Sequence, residues 1–198
     1  IEMDEDLKAR LLAEAKFLRG LYHFYAATVF YRPPFIDFVP QDVNIQYENA
    51  TREELLEGIS KDLREAAEVL PAEYGSADKG RATQGAAWGM LGRTFMYWQQ
   101  WDSAKHYLLK VKDLADQGVH GLIQPQGTHP KDYIYAYGCN FSAEDLTSPS
   151  GNTYSSENNK ESLFEIQFHY GGWEEWEGGW QADGSITCLY FGPDGFKN

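Results

Sequence analysis

The chain has 198 residues, 42% of them hydrophobic, enough to bury a sizeable core in one globular unit or in part of a larger one. Its 17 basic and 30 acidic residues leave a net charge of -13, which opposes broad contact with nucleic-acid phosphates or anionic lipid. Aromatic content is 15%, with 13 Tyr, 11 Phe and 6 Trp, and much of it lies where no helical stripe would bury it.

The opening "IEMDEDLKAR" is acidic and amphipathic rather than a charged-then-apolar signal sequence, and no apolar run reaches bilayer length. Because the chain starts at Ile and enters a helix at once, it reads as an interior piece of a longer protein. Residues 7–31 carry Leu11, Ala15, Leu18, Tyr22, Tyr25 and Val29 at alternating spacings of four and three, which predicts a helix with that face buried. "RPPFIDFVP" ends it, since paired prolines remove donors and push Arg32 out of the helical region. A loop is expected from there to about Ala50.

The second helix opens at Thr51, where "TREE" offers a cap hydroxyl and a glutamate three residues later to return the bond. Its predicted face is Leu55, Ile59, Leu63, Ala66 and Leu70, and Pro71 stops it. From about Arg81 a third helix presents Ala87, Trp88, Leu91, Phe95 and Trp98. Gly85, Gly89 and Gly92 cost it roughly 1 kcal/mol each relative to alanine, so close backbone packing is expected as compensation. Asp102 is read as the cap of a fourth helix with face Ala104, Leu108, Val111 and Ala115, ending near Gly118.

These helices form two consecutive pairs. In the second, Trp88, Leu91, Gly92, Phe95 and Ala104 stand at the spacing of the 34-residue tetratricopeptide repeat. Trp88, Leu91, Phe95, Trp98 and Trp101 are accordingly assigned to core or inter-repeat packing. The expected fold class is mainly α, with tetratricopeptide-like helix pairs packed against an irregular loop-rich region with a few short strands. Residues 1–118 form the helical repeats, with a loop inserted at 32–50; 119–198 form the loop-rich segment of the same domain. In that segment "ESLFEIQF", residues 161–168, is the clearest predicted strand, and "DYIYAYGCNFS" reads as an extended face bearing Tyr133, Tyr135 and Tyr137. Cys139 and Cys188 leave one disulfide or none open.

The stretches "AEAKFLRGLYHFYAATVFYRPPFIDF", "LLEGISKDLREAAEVLP", "RATQGAAWGMLGRTFMYWQQWDSAKHYLLKV" and "ESLFEIQF" occur in the order seen in SusD-like (RagB) proteins. The resemblance spans residues 13–168. Proteins of that family are surface-exposed outer-membrane lipoproteins of Bacteroidetes that capture glycans for a TonB-dependent SusC-like transporter. The resemblance therefore implies a glycan ligand, a SusC-like partner and an outer-membrane location, through a lipid anchor that this chain does not contain. It also implies that the loop after the first helix lines the glycan site, which nominates Tyr31, Arg32, Phe35 and Phe38. The turn "YRPPFIDF" departs from the family's commoner glycine-aspartate-valine-proline form.

A sugar offers C–H faces and rings of hydroxyls, so its site needs flat aromatic platforms beside hydrogen-bonding side chains. "HYGGWEEWEGGWQAD" has that composition, which adds Tyr170, Trp173, Trp176 and Trp180 as candidates on a ligand-facing loop. The alternative for those tryptophans is a private core of the loop, and for Phe35 and Phe38 a cap on the helical core. His23, His106, His120, His129 and His169 lack metal-ligand spacing, and no cofactor or metal is expected. Neighbouring Glu174, Glu175 and Glu177 on one loop are poorly placed to flank a scissile bond from opposite sides, so no catalysis is expected. Two functions remain: a non-catalytic glycan-binding protein, or a helical-repeat scaffold for protein partners without sugar binding.

Overall fold

The computed structural model describes residues 3–42, 44–142 and 144–166, together with the backbone of 174–176 and 179–181. It separates into two units, Ile1–Glu165 and Ile166–Asn198.

Four helices open the first unit: α1 (Glu5–Phe30), α2 (Arg52–Val69), α3 (Gln84–Tyr97) and α4 (Trp101–Asp116). Each packs on the next in chain order. α2 starts where its sequence says. Thr51 Oγ1 accepts from Glu54 N at 3.1 Å while Glu54 Oε2 accepts from Thr51 N at 2.7 Å, so two otherwise orphaned donors are satisfied. Its predicted face is buried throughout, from Leu55 to Leu70.

The face of α1 is the main correction. Leu11, Leu18, Tyr22, Tyr25 and Val29 are exposed, Val29 by 73%, and the buried stripe is Ala13, Phe17, Gly20, Leu21, Phe24 and Ala27. Both stripes are apolar, but only the buried one has a small residue every seventh position. Gly20 lets α2 approach so closely that an added Cβ would stand 3.0 Å from Leu63 Cγ. Backbone proximity, rather than side-chain size, selects the face. One charged pair across this contact is Arg19 with buried Asp62, joined by two bonds of 2.7 and 2.6 Å in a planar fork.

The glycines of α3 also serve close packing: added Cβ atoms would crowd His120 at Gly85, Leu163 at Gly89 and Leu108 at Gly92. α3 ends with Gln99 at φ 59 and Gln100 N donating to Phe95 O at 2.8 Å, the bond pattern of a Schellman turn. Asp102 is not the cap of α4. The helix begins two residues earlier than that cap would imply, at Trp101, Gln100 occupies the cap position, and Asp102 lies in the first turn, where its charge favours the helix dipole. Trp101 is exposed rather than packed between repeats, and Leu108 is exposed while Leu114 is buried.

Beyond α4 the chain does not form the extended tyrosine face. Residues Asp132–Gly138 are a short helix, α5, followed by a 3-10 turn at Cys139–Phe141. Tyr133 and Tyr137, four apart, both fall on its exposed side, because a spacing of four suits a helix as well as a strand. Buried Asp132 accepts from His129 N at 2.9 Å and Ser150 Oγ at 2.8 Å, tying α5 to the turn of a two-stranded hairpin, β1 (Leu146–Thr147) and β2 (Thr153–Tyr154). Its carboxyl is held below the ordinary range by the Ser148 and Ser150 hydroxyls and the His129 N–H. Tyr154, Ala136 and Cys139 form a second small core, and burial pushes the Cys139 thiol up.

Residues 161–166 of the predicted strand are irregular; the remaining two lie outside the described residues. Leu163 and Phe164 are spent on the helical layer instead of a sheet. Phe164 meets Phe17 edge-on at 4.9 Å, Leu163 fills the space beside Gly89, and Glu161 Oε1 accepts from Ile123 N at 2.7 Å.

In the second unit, β3 (Glu174–Trp176) and β4 (Gly179–Gln181) pair antiparallel, with Glu175 opposite Trp180 and Trp176 opposite Gly179. Within and beside "WEEWEGGW", residues 174–176 and 179–181 are therefore paired strands rather than loop.

Candidate functional site

The loop after α1 is held at both ends. Ala50 N donates to Pro33 O at 3.2 Å and Arg32 Nε donates to Ala50 O at 3.1 Å, which closes its base. Arg19 Nη1 reaches Asp37 O at 2.9 Å, and His23 Nε2 accepts from Ile36 N at 3.0 Å while Nδ1 faces Arg19 O at 2.9 Å. That pairing places the ring hydrogen on Nδ1. Two α1 side chains thus pin the loop at consecutive residues.

Tyr31 begins the loop at φ 65 and ψ -55, and Arg32 N donates back to Phe30 O at 2.7 Å. This is a γ-turn of the rare positive-φ form, costly for a residue with a side chain. It turns the Tyr31 ring outward, 65% exposed, with the Arg52 guanidinium 5.1 Å from its centroid. Arg52 is held in turn. Its Nη1 donates to Tyr31 O at 3.2 Å and Ala27 O at 3.4 Å, its carbon lies 3.9 Å from the Trp98 centroid and 5.5 Å from that of Tyr97, and Trp98 Nε1 donates to its carbonyl at 2.9 Å. The result is an exposed aromatic ring on a rigid arginine and aromatic base.

The sequence candidates divide. Tyr31, Arg32 and Phe38 are exposed, Phe38 edge-on to Tyr47 at 5.5 Å. Phe35 is not on that surface: its ring lies 4.4 Å from His23 and fills the notch at Gly58, where an added Cβ would come within 3.0 Å of it. It anchors the loop. Trp176 and Trp180 lie on β3 and β4 of the second unit, and Tyr170 and Trp173 fall outside the described residues. Arg52, Tyr97 and Trp98 were missed as site residues, because only the tertiary meeting of three helix ends brings them beneath Tyr31.

Two of the cavities in the first unit have charged and aromatic linings. One of about 110 Å³ lies between the α2–α3 connection and residues 158–165, with Tyr74, Arg81 and His120 in its lining. Arg81 pairs with Glu14 at 2.8 Å and Asp78 at 2.7 Å, and Tyr74, pushed up to about 12 by burial and by Glu14, donates to Glu14 at 3.2 Å. His120 is held below its ordinary value by burial. The other is a crevice of about 270 Å³ between α2 and α4, floored by α3. Among the described residues no group of three His, Cys, Asp or Glu is arranged to hold a metal ion.

A SusD-like family model, described as "Starch-binding associating with outer membrane", matches residues 2–96. A SusD-like protein from Bacteroides fragilis NCTC 9343 superposes with a TM-score of 0.65 at 27% identity, over 84% of this chain and 29% of that one. Over residues 2–96 the chain is similar to SusD-like proteins. A SusD-like carbohydrate-binding protein of the same organism shares the fold at TM-score 0.63 and 23% identity, over 85% of this chain and 29% of its own. A laminarin-binding SusD-like protein gives TM-score 0.54 at 27% identity, over 73% and 31%. No curated protein matches the sequence significantly. The chain spans less than a third of the length of these solved relatives, and the helical fold of its first unit is similar to theirs.

Proposed function

We propose that the chain is part of a non-catalytic glycan-binding protein of the outer-membrane surface, which captures oligo- or polysaccharide for a TonB-dependent SusC-like transporter. The observation that carries this reading is the Tyr31 ring, exposed on a strained turn and backed by Arg52. Strain at an exposed aromatic is retained where the residue's direction matters, and a flat ring with polar neighbours suits the C–H face of a sugar. Arg32 adds hydrogen-bond donors at the same turn and Phe38 a second exposed ring on the loop. The relatives' descriptions, starch-binding for the family and laminarin-binding for one solved protein, support the ligand class. No proton transfer is required of the site: binding rests on stacking and hydroxyl hydrogen bonds, and modest affinity suits release to a partner.

A second reading, a scaffold for protein partners, is favoured by the exposed apolar stripe of α1 from Leu11 to Val29. Native affinity electrophoresis in gels containing laminarin, starch or other soluble polysaccharides separates the two. Retardation by at least one glycan, without release of reducing ends, supports the glycan reading; free migration in every gel supports the scaffold.

A further inference from the structure

The crevice between α2 and α4 gathers two cations and two aromatic rings around one cavity. Its floor is the half-buried Trp88 indole of α3, and the Tyr107 ring of α4 forms part of its wall, fixed by stacking on Phe95 at 5.6 Å with an interplanar angle of 3°. Arg64 on α2 and Lys110 on α4 stand on opposite walls. Lys110 Nζ lies 5.1 Å from the Trp88 centroid and Arg64 Nη2 donates to Ser60 Oγ at 3.2 Å.

These two cations share one crevice, and neither has a carboxylate within ion-pair distance. Among the described residues Lys8, Arg10, Lys16, Arg19, Arg81 and Lys112 are in ion pairs, whereas the other cations, Arg64 and Lys110 among them, are in none. Arg64 and Lys110 form none, although the chain carries 30 acidic residues and Glu68 lines the same crevice. A partly desolvated ammonium over an indole, facing a guanidinium across a cavity, is stabilised most by a carboxylate brought in from outside. The aromatic floor asks for a flat, weakly polar face on the same ligand, and Glu68 and Gln84 offer partners for hydroxyls.

We propose that this crevice is a subsite for one carboxylated sugar ring, a uronate unit within a glycan; this rests on the carbohydrate-binding reading. The ring lies on Trp88, and its carboxylate draws Lys110 off the indole into a pair shared with Arg64. The overall charge of -13 disfavours a long polyanion, so a glycan with isolated uronate units fits better than a run of them.

The test is calorimetric titration of the chain with a glucuronate-containing tetrasaccharide and with its carboxyl-reduced, neutral counterpart. The proposal expects the acidic form to bind at least tenfold tighter, with the difference shrinking as salt is raised. Lys110→Ala and Arg64→Gln, each checked for folding by circular dichroism, are expected to reduce that difference to about twofold or less, as isolated charge contacts are lost. Trp88→Phe serves as a second probe: retaining a flat ring, it is expected to keep the acidic preference. Equal affinity for the two forms, or a preference unchanged in the charge variants, overturns the proposal. If neutral polysaccharides bind while the uronate form does not, only this inference fails; if no glycan of either kind binds, the carbohydrate reading fails with it.

Discussion

Arg52 and Trp98 hold each other from two sides: the guanidinium carbon lies 3.9 Å from the indole centroid, and the indole N–H donates to the Arg52 carbonyl at 2.9 Å. The last turn of α1 has no basic residue of its own, and the Arg52 side chain supplies that charge from the start of α2 through Ala27 O and Tyr31 O. One arginine therefore joins three helix ends. Arg52→Ala is predicted to lower the unfolding free energy by about 2 kcal/mol, the sum of a stacked cation and lost carbonyl bonds. Arg52→Lys is predicted to recover less than half of it, since an ammonium cannot stack and fork at once. Urea denaturation measures both; full recovery by lysine would mean that charge alone matters.

Phe17 and Leu18 are neighbours on α1 with opposite fates. Phe17 is fully buried against α2 and Phe164, and Leu18 belongs to the outward stripe. Phe17→Ala is predicted to cost about 3–5 kcal/mol, and Leu18→Ala only about 0.5 kcal/mol. Reversed magnitudes in chemical denaturation would show that the other face of α1 is the packed one.

His120 gives stability a pH dependence of known sign. Burial lowers its folded pKa, so below about 6.5 the unfolded chain binds a proton that the folded chain resists. Its contribution is therefore present at neutral pH and lost as pH falls through that value. Melting temperatures of the wild type and His120→Asn between pH 7.5 and 5 should show a steeper fall for the wild type. Parallel curves would place His120 in an environment that tolerates its charge.

Tyr31 carries backbone strain that glycine does not feel. Tyr31→Gly is predicted to be about 1 kcal/mol more stable than Tyr31→Ala, because both lose the ring and only alanine keeps the unfavourable turn. Both should weaken glycan binding equally. A glycine variant no more stable than alanine would mean that the turn is relaxed in solution.

α2 was legible because its signals are local: a capping box at Thr51 and Glu54, one apolar stripe, and Pro71 beyond its end. The face of α1 was not, because it has two apolar stripes and the choice depends on the small residues Ala13, Gly20 and Ala27 meeting a second helix. Tyr133, Tyr135 and Tyr137 misled in the same way, their spacing being shared by strand and helix. "ESLFEIQF" has strand-like alternation, yet Leu163 and Phe164 are both used against the helical layer. Within the candidate site, Tyr31 and Arg32 were readable from their place after the helix. Arg52, 20 or more residues on, joins them only through the fold.

The most direct test of glycan binding at the loop is a titration of the wild type and a Tyr31→Ala, Phe38→Ala double variant with the polysaccharide that retards the chain most. The account predicts at least tenfold weaker binding by a variant whose far-ultraviolet circular dichroism is unchanged. Affinity equal to the wild type in that folded variant would contradict it.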